Sequence, residues 1–560
     1  MTLQQNTDRI RVTHIGSLPR PRALLDQLKA KFSGGAFDEK VFEAALRQAV
    51  VDVVRKQAEC GIDVVTDGEF SKPGFFTYIQ ERLSGFEPRP NQKMLLFQKE
   101  VAAFPEYYAE YFKQAMMGGT IVPITPVVCT GPITYRGEVP LARDIENVKA
   151  AATAAGVMIV KPEAVRGTAA NSAVRLGILG CGGRGTAVGT GFVDDANARV
   201  VALADLFADQ LAAARKHFDG RQAAKGYAAI DSAQLFQGPK AYEQIAASKE
   251  VDFILITTPP YFHPHHLETV VAAGKHVYCE KPVAIDVPGA KRVMRIGERA
   301  QGKLSLEVGF QIRKAPPHVE LVKRIHGGAL GKIGCGLAYY YCGHIDRPEW
   351  PGASEVEKRL RNWVWDRALS GDIIVEQNIH VIDMCNWTLQ GHPESAVGGG
   401  GRKLRTDTGD CWDNFSLVFT YPDHVQVSFG STQFDDPAFD AATRFFGTKG
   451  SSEVHYDYRV SISGAEPWDA GLGPAPGSTQ FSAAGTFKGS LDQADTEKQK
   501  WFVESITSGE FHNQAAQGAE SALSAMLGRT AAYTGKLVTW DELMKSEEVL
   551  EPNIDISKLA

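Results

Sequence analysis

The 560-residue chain has no excess of basic charge: 60 Lys and Arg stand against 66 Asp and Glu, a formal net charge of -6. That balance speaks against nucleic acid or an anionic membrane as a partner, since either usually needs a basic face. No apolar run reaches the ~20 residues that a membrane helix requires. Met1 to Arg11 is polar and lacks the apolar stretch of a signal peptide, so the cytoplasm is the expected compartment for the chain as written. The eight cysteines form no C-x-x-C pair and no zinc-ligand spacing, so no metal is expected. They read as scattered thiols, most of them buried, with Cys335–Cys342 as the one disulfide left open. Internal repeats and coiled-coil heptads are also missing.

What is present is ordinary globular composition, 44% hydrophobic and 22% charged. The length allows roughly three to four domains of ~100–200 residues. Residues 1–150 alternate strand, loop and helix. A helix is expected from about Glu39 to Cys60, a buried strand at Ile62–Thr66, and a further strand at Thr120–Thr125. The pattern suggests an α/β barrel or open sheet. Residues 151–172 are small and apolar, then loop-like. They read either as a linker or as the remnant of an export signal, the latter implying an exported origin for the residues beyond 172.

From Val174 the order becomes strand, glycine turn, helix, strand. Val174–Leu179 leads into Gly180-Cys-Gly-Gly-Arg-Gly185, a helix continues from about Arg184 to Val193, and a second strand ends at Asp205. Gly180 allows the tight turn, Gly182 lets backbone approach a pyrophosphate, and Gly185 lets helix pack on strand; Gly183 and Arg184 complete the turn. The helix N-terminus offers unpaired N–H groups to phosphates. Asp205, 20 residues beyond Gly185, suits ribose hydroxyls and repels a 2′-phosphate, which favours NAD over NADP. The expected architecture is a doubly wound Rossmann domain (173–295), an α/β domain with an open, largely antiparallel sheet (296–545), and a tail (546–560). The strand-rich stretch Leu304–Phe310 and the helices near 492–508 and 516–533 are assigned to the second domain, with a Gly/Pro/Ser-rich loop over 467–489.

Glu280-Lys-Pro282, with Ser370-Gly-Asp-Ile-Ile-Val-Glu-Gln-Asn-Ile-His-Val-Ile-Asp383, resembles the two signatures of the Gfo/Idh/MocA oxidoreductases. The resemblance covers about 173–545 and implies an active site between a Rossmann domain and an open-sheet domain. It implies Lys281 at the nicotinamide ribose and substrate hydroxyl, with Glu280 beside it. It also makes Thr257-Thr-Pro-Pro260, including Thr258 and Pro259, a cofactor-edge loop lined by His263. Glu376 and His380 stand at i and i+4, so one helix would put them on one face. His380 suits a general acid or base because its ordinary pKa is near neutrality. Relatives often carry Asp at the position of Glu376 and Gly at that of Asn378, which leaves the division of labour between Glu376 and His380 open. Arg313, Arg347 and Trp350 are candidate contacts to a polyhydroxylated substrate. Asp383 is a further candidate at the substrate side, with a structural role as the alternative. His263, His265 and His266 resemble a metal site in composition, but no acid or cysteine completes one.

Thr13-His-Ile-Gly-Ser-Leu-Pro-Arg20 and Gly61-Ile-Asp-Val-Val-Thr-Asp-Gly-Glu-Phe70 resemble the start of the catalytic barrel of cobalamin-independent methionine synthase. That resemblance implies amino-acid binding at Glu69 and around Ser17. It stops near residue 150, short of the ~250 residues of a barrel, and the chain has no His-x-Cys pair for a zinc-activated thiol. An incomplete TIM-barrel-like segment without methyltransferase activity is expected, as a fusion remnant, a partly folded appendage or the product of gene joining. The leading expectation for the chain is NAD-dependent oxidation of a sugar or cyclitol hydroxyl by a homo-oligomer formed through the C-terminal sheet. An NAD-retaining oxidative glycosidase and a non-catalytic NAD-binding protein are the alternatives.

Overall fold

A computed structural model describes residues 12–33, 36–72, 74, 82–89, 97–111, 127–154, 173–345, 348–407, 409–434, 439–456, 458–473 and 489–559. The chain divides into two compact units, Met1–Arg166 and Gly167–Ala560.

In the first unit, the helix Glu39–Glu59 starts at Asp38, whose carboxylate accepts from the Lys40 and Val41 amides and satisfies donors that a helix start leaves open. Phe42, Leu46, Val50 and Val54 pack with Leu24 and Leu28 of the helix Arg22–Ser33 and with Phe70. Ala151, on the helix Glu138–Ala154, joins this core. The stretch 62–66, expected as a buried strand, makes one parallel bridge, Thr13 to Val64, and its side chains are half-buried or exposed. Burial on both faces needs paired neighbours, and the described residues supply only Thr13. Strands β1 (Phe86–Pro88) and β2 (Val127–Cys129) pair antiparallel. The expected strand at 120–125 lies outside the described residues.

The second unit begins with six parallel strands: β3 (Val174–Leu179), β4 (Ala198–Asp205), β5 (Leu235–Gln237), β6 (Phe253–Ile256), β7 (His276–Cys279) and β8 (Leu306–Val308). Their order is β5-β4-β3-β6-β7-β8, the doubly wound arrangement in which the chain reverses direction beside the first strand. Leu176, Ile178, Phe253 and Leu255 pack under Phe192 and Phe218. Ile254, Ile256, Val277 and Cys279 pack under Leu267, Val270 and Val293. Cover on both faces is the reason these strands read as continuous apolar runs.

Two segments expected in the second domain belong to this sheet. Leu306–Val308 pairs with β7 as its sixth strand. The helix Ala494–Ser508 packs on it through Phe502, whose ring lies 5.2 Å from Phe253 and 6.0 Å from Phe192. Hydrophobic contact drew this helix back across the chain, which no local spacing reveals.

The other sheet holds β9 (Ile333–Cys342), β10 (Ser395–Gly401), β11 (Asn414–Tyr421), β12 (Val425–Gln433), β13 (Asp440–Gly447), β14 (Gly450–His455), β15 (Val460–Gly464), β16 (Trp468–Asp469) and β17 (Val538–Thr539). Its order is β16-β15-β14-β13-β9-β12-β11-β10-β17. All neighbours are antiparallel except β9 and β12. The helices Ile379–Leu389 and Ala515–Thr534 cover one face. On the other, Leu337, Tyr341, Val397 and Phe446 are exposed. Cys335 is exposed and Cys342 buried, an odd spacing that sends them to opposite faces, and all eight cysteines are free thiols. Part of the expected 467–489 loop, residues 474–488, lies outside the described residues. No helix among the described residues is long and apolar enough to cross a membrane.

A buried cluster of polar side chains ties β8 to the returning helix. Lys498 Nζ lies 2.5 Å from Glu307 Oε1, with both side chains 0% exposed, and His512 Nε2 lies 2.5 Å from Glu307 Oε2. Lys498 also donates to the Phe310 carbonyl. Removing one member strands the other in the core, so Lys498→Met is expected to cost about 3–5 kcal/mol in urea unfolding, and Lys498→Met with Glu307→Leu to recover most of it. A single variant as stable as the parent would show that the cluster carries no such charge.

Candidate functional site

The glycine turn between β3 and the helix Gly183–Asp195 has the shape its sequence requires. Gly180 has φ +97, and a Cβ there would lie 2.7 Å from the Thr257 carbonyl carbon. A Cβ on Gly185 would meet the Gly180 carbonyl oxygen at 2.0 Å, so only glycine lets helix and turn come together. At Gly182 and Gly183 a Cβ would meet nothing within 4 Å. That open side belongs to a cavity of about 280 Å³ lined by Gly180, Gly182, Gly183, Asp205, Thr258 and Pro259 among others. Asp205 accepts from the Cys181 amide at 2.6 Å and the Phe207 amide at 2.9 Å. Burial raises its pKa while those amides pull it down. The two bonds orient the carboxylate at the cavity wall. Open backbone at a helix N-terminus and an oriented acid one strand away fit a dinucleotide.

Arg184 and Glu280, both expected at the cofactor, are joined to each other. Arg184 Nε donates to Glu280 Oε1 at 2.9 Å, and its terminal nitrogens donate to Asp495, each at 3.3 Å. Burial opposes the Arg184 charge, but Asp495 and Glu280 outweigh it and the net pKa shift is upward. The pair bolts the glycine turn to the Glu280-Lys281-Pro282 loop.

His263 lines the cofactor-edge loop, as expected, but from beneath it and away from the cavity. It is buried beneath the cofactor-edge loop, with Nδ1 2.7 Å from the Pro282 oxygen and Nε2 2.6 Å from the Thr258 oxygen. Burial pushes its pKa down to about 4. His266 lines the cavity in its stead, with Nδ1 3.0 Å from Thr258 Oγ1 and its ring stacked on Tyr242 and Phe262. His265 turns to Tyr242 and Arg292. The three histidines on one turn therefore diverge. Their spacing could not reveal this, because the choice between inside and cavity depends on which loop packs above.

Lys281 Nζ donates to the Glu376 carboxylate (Oε1, 3.0 Å) and to the Glu376 backbone carbonyl. Glu376 does not share a continuous helix with His380. It ends the single turn Ile373–Glu376, and His380 is the second residue of Ile379–Leu389. Carbonyls at a helix end have no partner inside the helix, and Lys281 takes this one. The intervening Gln377 is held from the sheet: its Oε1 accepts from Gln433 Nε2 at 3.3 Å and from Cys342 Sγ at 3.4 Å. Asp372 caps the first turn in a left-handed conformation (φ +76) and accepts from Tyr533 Oη at 2.6 Å; burial raises its pKa to about 6. His380 is 7% exposed. Burial, then the charges of Lys281, Arg184 and Lys498, lower its pKa well below the ordinary value. Burial and those cations therefore favour the neutral imidazole.

The remaining expected contacts are reassigned. Arg313 makes two 2.9 Å bonds to Asp383, which also accepts from Ser521 at 2.6 Å. Asp383 is 1% exposed, so this is an internal brace rather than a substrate surface. Arg347 lies outside the described residues. Trp350, expected on the substrate side, lines the dinucleotide cavity with Trp363 and Arg361. Sequence reading missed Arg361 and His266 as cavity residues; Arg361 meets its partner Asp209 across 152 residues, so no local motif marks it. In the first unit, the Glu69 carboxylate accepts from Ser17 and Lys72, each at 2.7 Å, and those bonds hold its pKa down.

Fold and site together define a dinucleotide-binding oxidoreductase. Residues 174–308 match the "Oxidoreductase family, NAD-binding Rossmann fold" pattern and 318–453 the "GFO/IDH/MocA C-terminal domain". This part of the chain belongs to the Gfo/Idh/MocA oxidoreductase family, and its cofactor is NAD. Residues 10–124 match the "Cobalamin-independent synthase, Catalytic domain". An inositol 2-dehydrogenase of Rhizobium meliloti is 24% identical over 291 residues, 52% of this chain and 78% of that protein. Inositol 2-dehydrogenase 3 of Saccharopolyspora erythraea is 30% identical over 165 residues, 28% of this chain but 42% of that protein. Scyllo-inositol dehydrogenase from Lactobacillus casei, solved with NAD(H) and scyllo-inositol, shares the fold at TM-score 0.52 and 18% identity, over 66% of this chain and 99% of that one.

A buried histidine gives a pH test. His318 is held neutral by burial, with a pKa near 3. Above the ordinary value near 6.5 both states are neutral and this burial has no proton cost. As pH falls from there towards 3, the unfolded chain binds a proton that the folded one refuses, and stability is lost. Urea unfolding at pH 5 is expected to show about 2 kcal/mol less stability from this histidine than at pH 7.5. Equal stability at both values would contradict neutral burial.

Proposed function

We propose that residues 173–545 oxidise a secondary hydroxyl of a sugar or cyclitol, with Lys281, Glu376 and His380 at the reacting centre. The carrying observation is the contact of Lys281 with the carboxylate and backbone oxygens of Glu376, one turn before a buried, neutral His380. NAD, when bound, supplies the hydride acceptor. The Lys281 ammonium orients the hydroxyl oxygen, and Glu376 fixes the ammonium. His380 accepts the hydroxyl proton as the carbonyl forms, and its buried setting keeps water from competing. Asp205 binds the adenosine ribose and disfavours NADP. The names of the relatives support a polyhydroxylated ring as substrate.

A second reading has its own support: a glycosyl hydrolase family 109 protein of Streptomyces niveus is 31% identical over 171 residues, 33% of that protein. On this reading the hydroxyl is oxidised only transiently, and an aglycone leaves without net NADH. One assay separates the two: cyclitols and sugars are offered with NAD while absorbance at 340 nm is followed, and aryl glycosides are offered in parallel. NADH formation is expected, falling about 10²–10⁴-fold in Lys281→Met and His380→Ala. Aglycone release without NADH would replace the first reading by the second, and undiminished rates in both variants would remove the site assignment.

The exposed apolar face of the nine-stranded sheet supports a homo-oligomer. Leu337, Tyr341, Val397 and Phe446 lie on it, and Tyr339 stacks on Tyr341 at 4.9 Å. Sedimentation is expected to give a dimer or larger for the parent and a monomer for Leu337→Arg with Phe446→Arg; a monomeric parent would contradict the interface. For residues 1–150 we infer no methyl transfer, since the chain has no His-x-Cys pair and the family match spans 10–124.

A further inference from the structure

The cavity beside Asp205 has a second wall, and that wall does not come from the nucleotide-binding sheet. Trp350, Leu360, Arg361 and Trp363, from the segment after β9, line it together with Ile556 of the C-terminal tail. Arg361 is the centre of this wall. Its guanidinium lies 3.9 Å over the Phe207 ring and 4.5 Å over the Trp350 ring. Two parallel bonds run from it to Asp209, at 2.8 and 2.9 Å, and a third runs to Glu357 at 2.8 Å. Phe207 and Asp209 stand two and four residues beyond Asp205, so Arg361 closes on the strand end that carries the ribose acid. The tail is tied down just before it reaches the cavity: Tyr261 donates to Glu551 at 2.8 Å, the Leu550 amide to Asp286 at 3.1 Å, and Arg359 to the Pro552 carbonyl at 2.9 Å.

We propose that segment 350–363 and the tail at Ile556 form the outer wall of the adenosine subsite, and that the Arg361–Asp209 contact is the latch over it. A flat aromatic base suits a wall of tryptophan rings and a stacked guanidinium. The latch spans two domains, so parting Arg361 from Asp209 frees the outer wall beside an adenosine group held there. Cofactor release is then governed by residues distant from the glycine turn. Asp209 and Glu357 occupy the Arg361 charge, which keeps it from serving a 2′-phosphate. This inference rests on the NAD site described above.

Stopped-flow displacement of NADH from the full chain tests it, read by energy transfer from Trp350 and Trp363 to the reduced nicotinamide. Arg361→Ala is expected to speed NADH release by about ten- to a hundredfold, the range for losing charge-assisted hydrogen bonds. Asp209→Asn, at a half-exposed surface position, is expected to speed it in the same direction, with urea unfolding confirming that both variants fold. Raised salt is expected to speed release from the parent more than from Arg361→Ala. NADH that binds but leaves both variants at the parent rate overturns the latch and leaves the NAD site standing. A parent that binds no NADH overturns the NAD reading and the latch with it.

Discussion

The ammonium of Lys281 joins the nucleotide-binding domain to the sheet domain through a single residue, Glu376. A helix end leaves carbonyls without internal partners, and a lysine from another domain uses that vacancy. For this to happen the chain has to stop after one turn, at Glu376, and resume at Ile379. Asp372 starts that turn, and Gln377, held by Gln433 and Cys342, ends it. The sheet thus sets the position of the carboxylate, and the Rossmann loop sets the position of the cation.

Around this contact the protein places buried charge in pairs. Arg184 with Glu280 and Asp495 fixes the loop that carries Lys281, and Arg313 with Asp383 fixes the helix that carries His380. Lys498 with Glu307 fixes the returning helix against β8. Such pairs gain little over hydrophobic packing, because desolvation offsets the attraction. Their consequence here is positional, and electrostatic as well: burial first, and then the charges of Lys281, Arg184 and Lys498, lower the pKa of His380. The setting of His380 is therefore shaped by residues that the motifs assign to other duties.

Much of the fold was legible because its signals are local. The strand-turn-helix around Gly180–Gly185 follows from glycine sterics, and the helices Glu39–Glu59 and Ala515–Thr534 begin and end within a residue or so of the periodic pattern. The site was legible only as an inventory. Residues named as ligand contacts, among them Arg184, Glu280, His263, Arg313 and Asp383, lie near the expected loops but face each other or backbone carbonyls. A motif records that a residue type belongs to a loop, whereas the partner it meets is set by elements that often stand a hundred or more residues away.

By itself the sequence determined a glycine turn between strand and helix, an acid at the end of the second strand, a lysine loop after a later strand, and the kinship of two unrelated segments in one chain. Each depends on backbone sterics or on spacing within about 25 residues. Tertiary structure alone decided that β8 and Ala494–Ser508 return to the nucleotide sheet and that His266 rather than His263 borders the cavity. It also decided that Arg361 reaches Asp209 beside the cavity that Asp205 lines. The physical reason is the same in each case: burial selects partners by shape and charge among groups distant in sequence, and only packing brings those groups together.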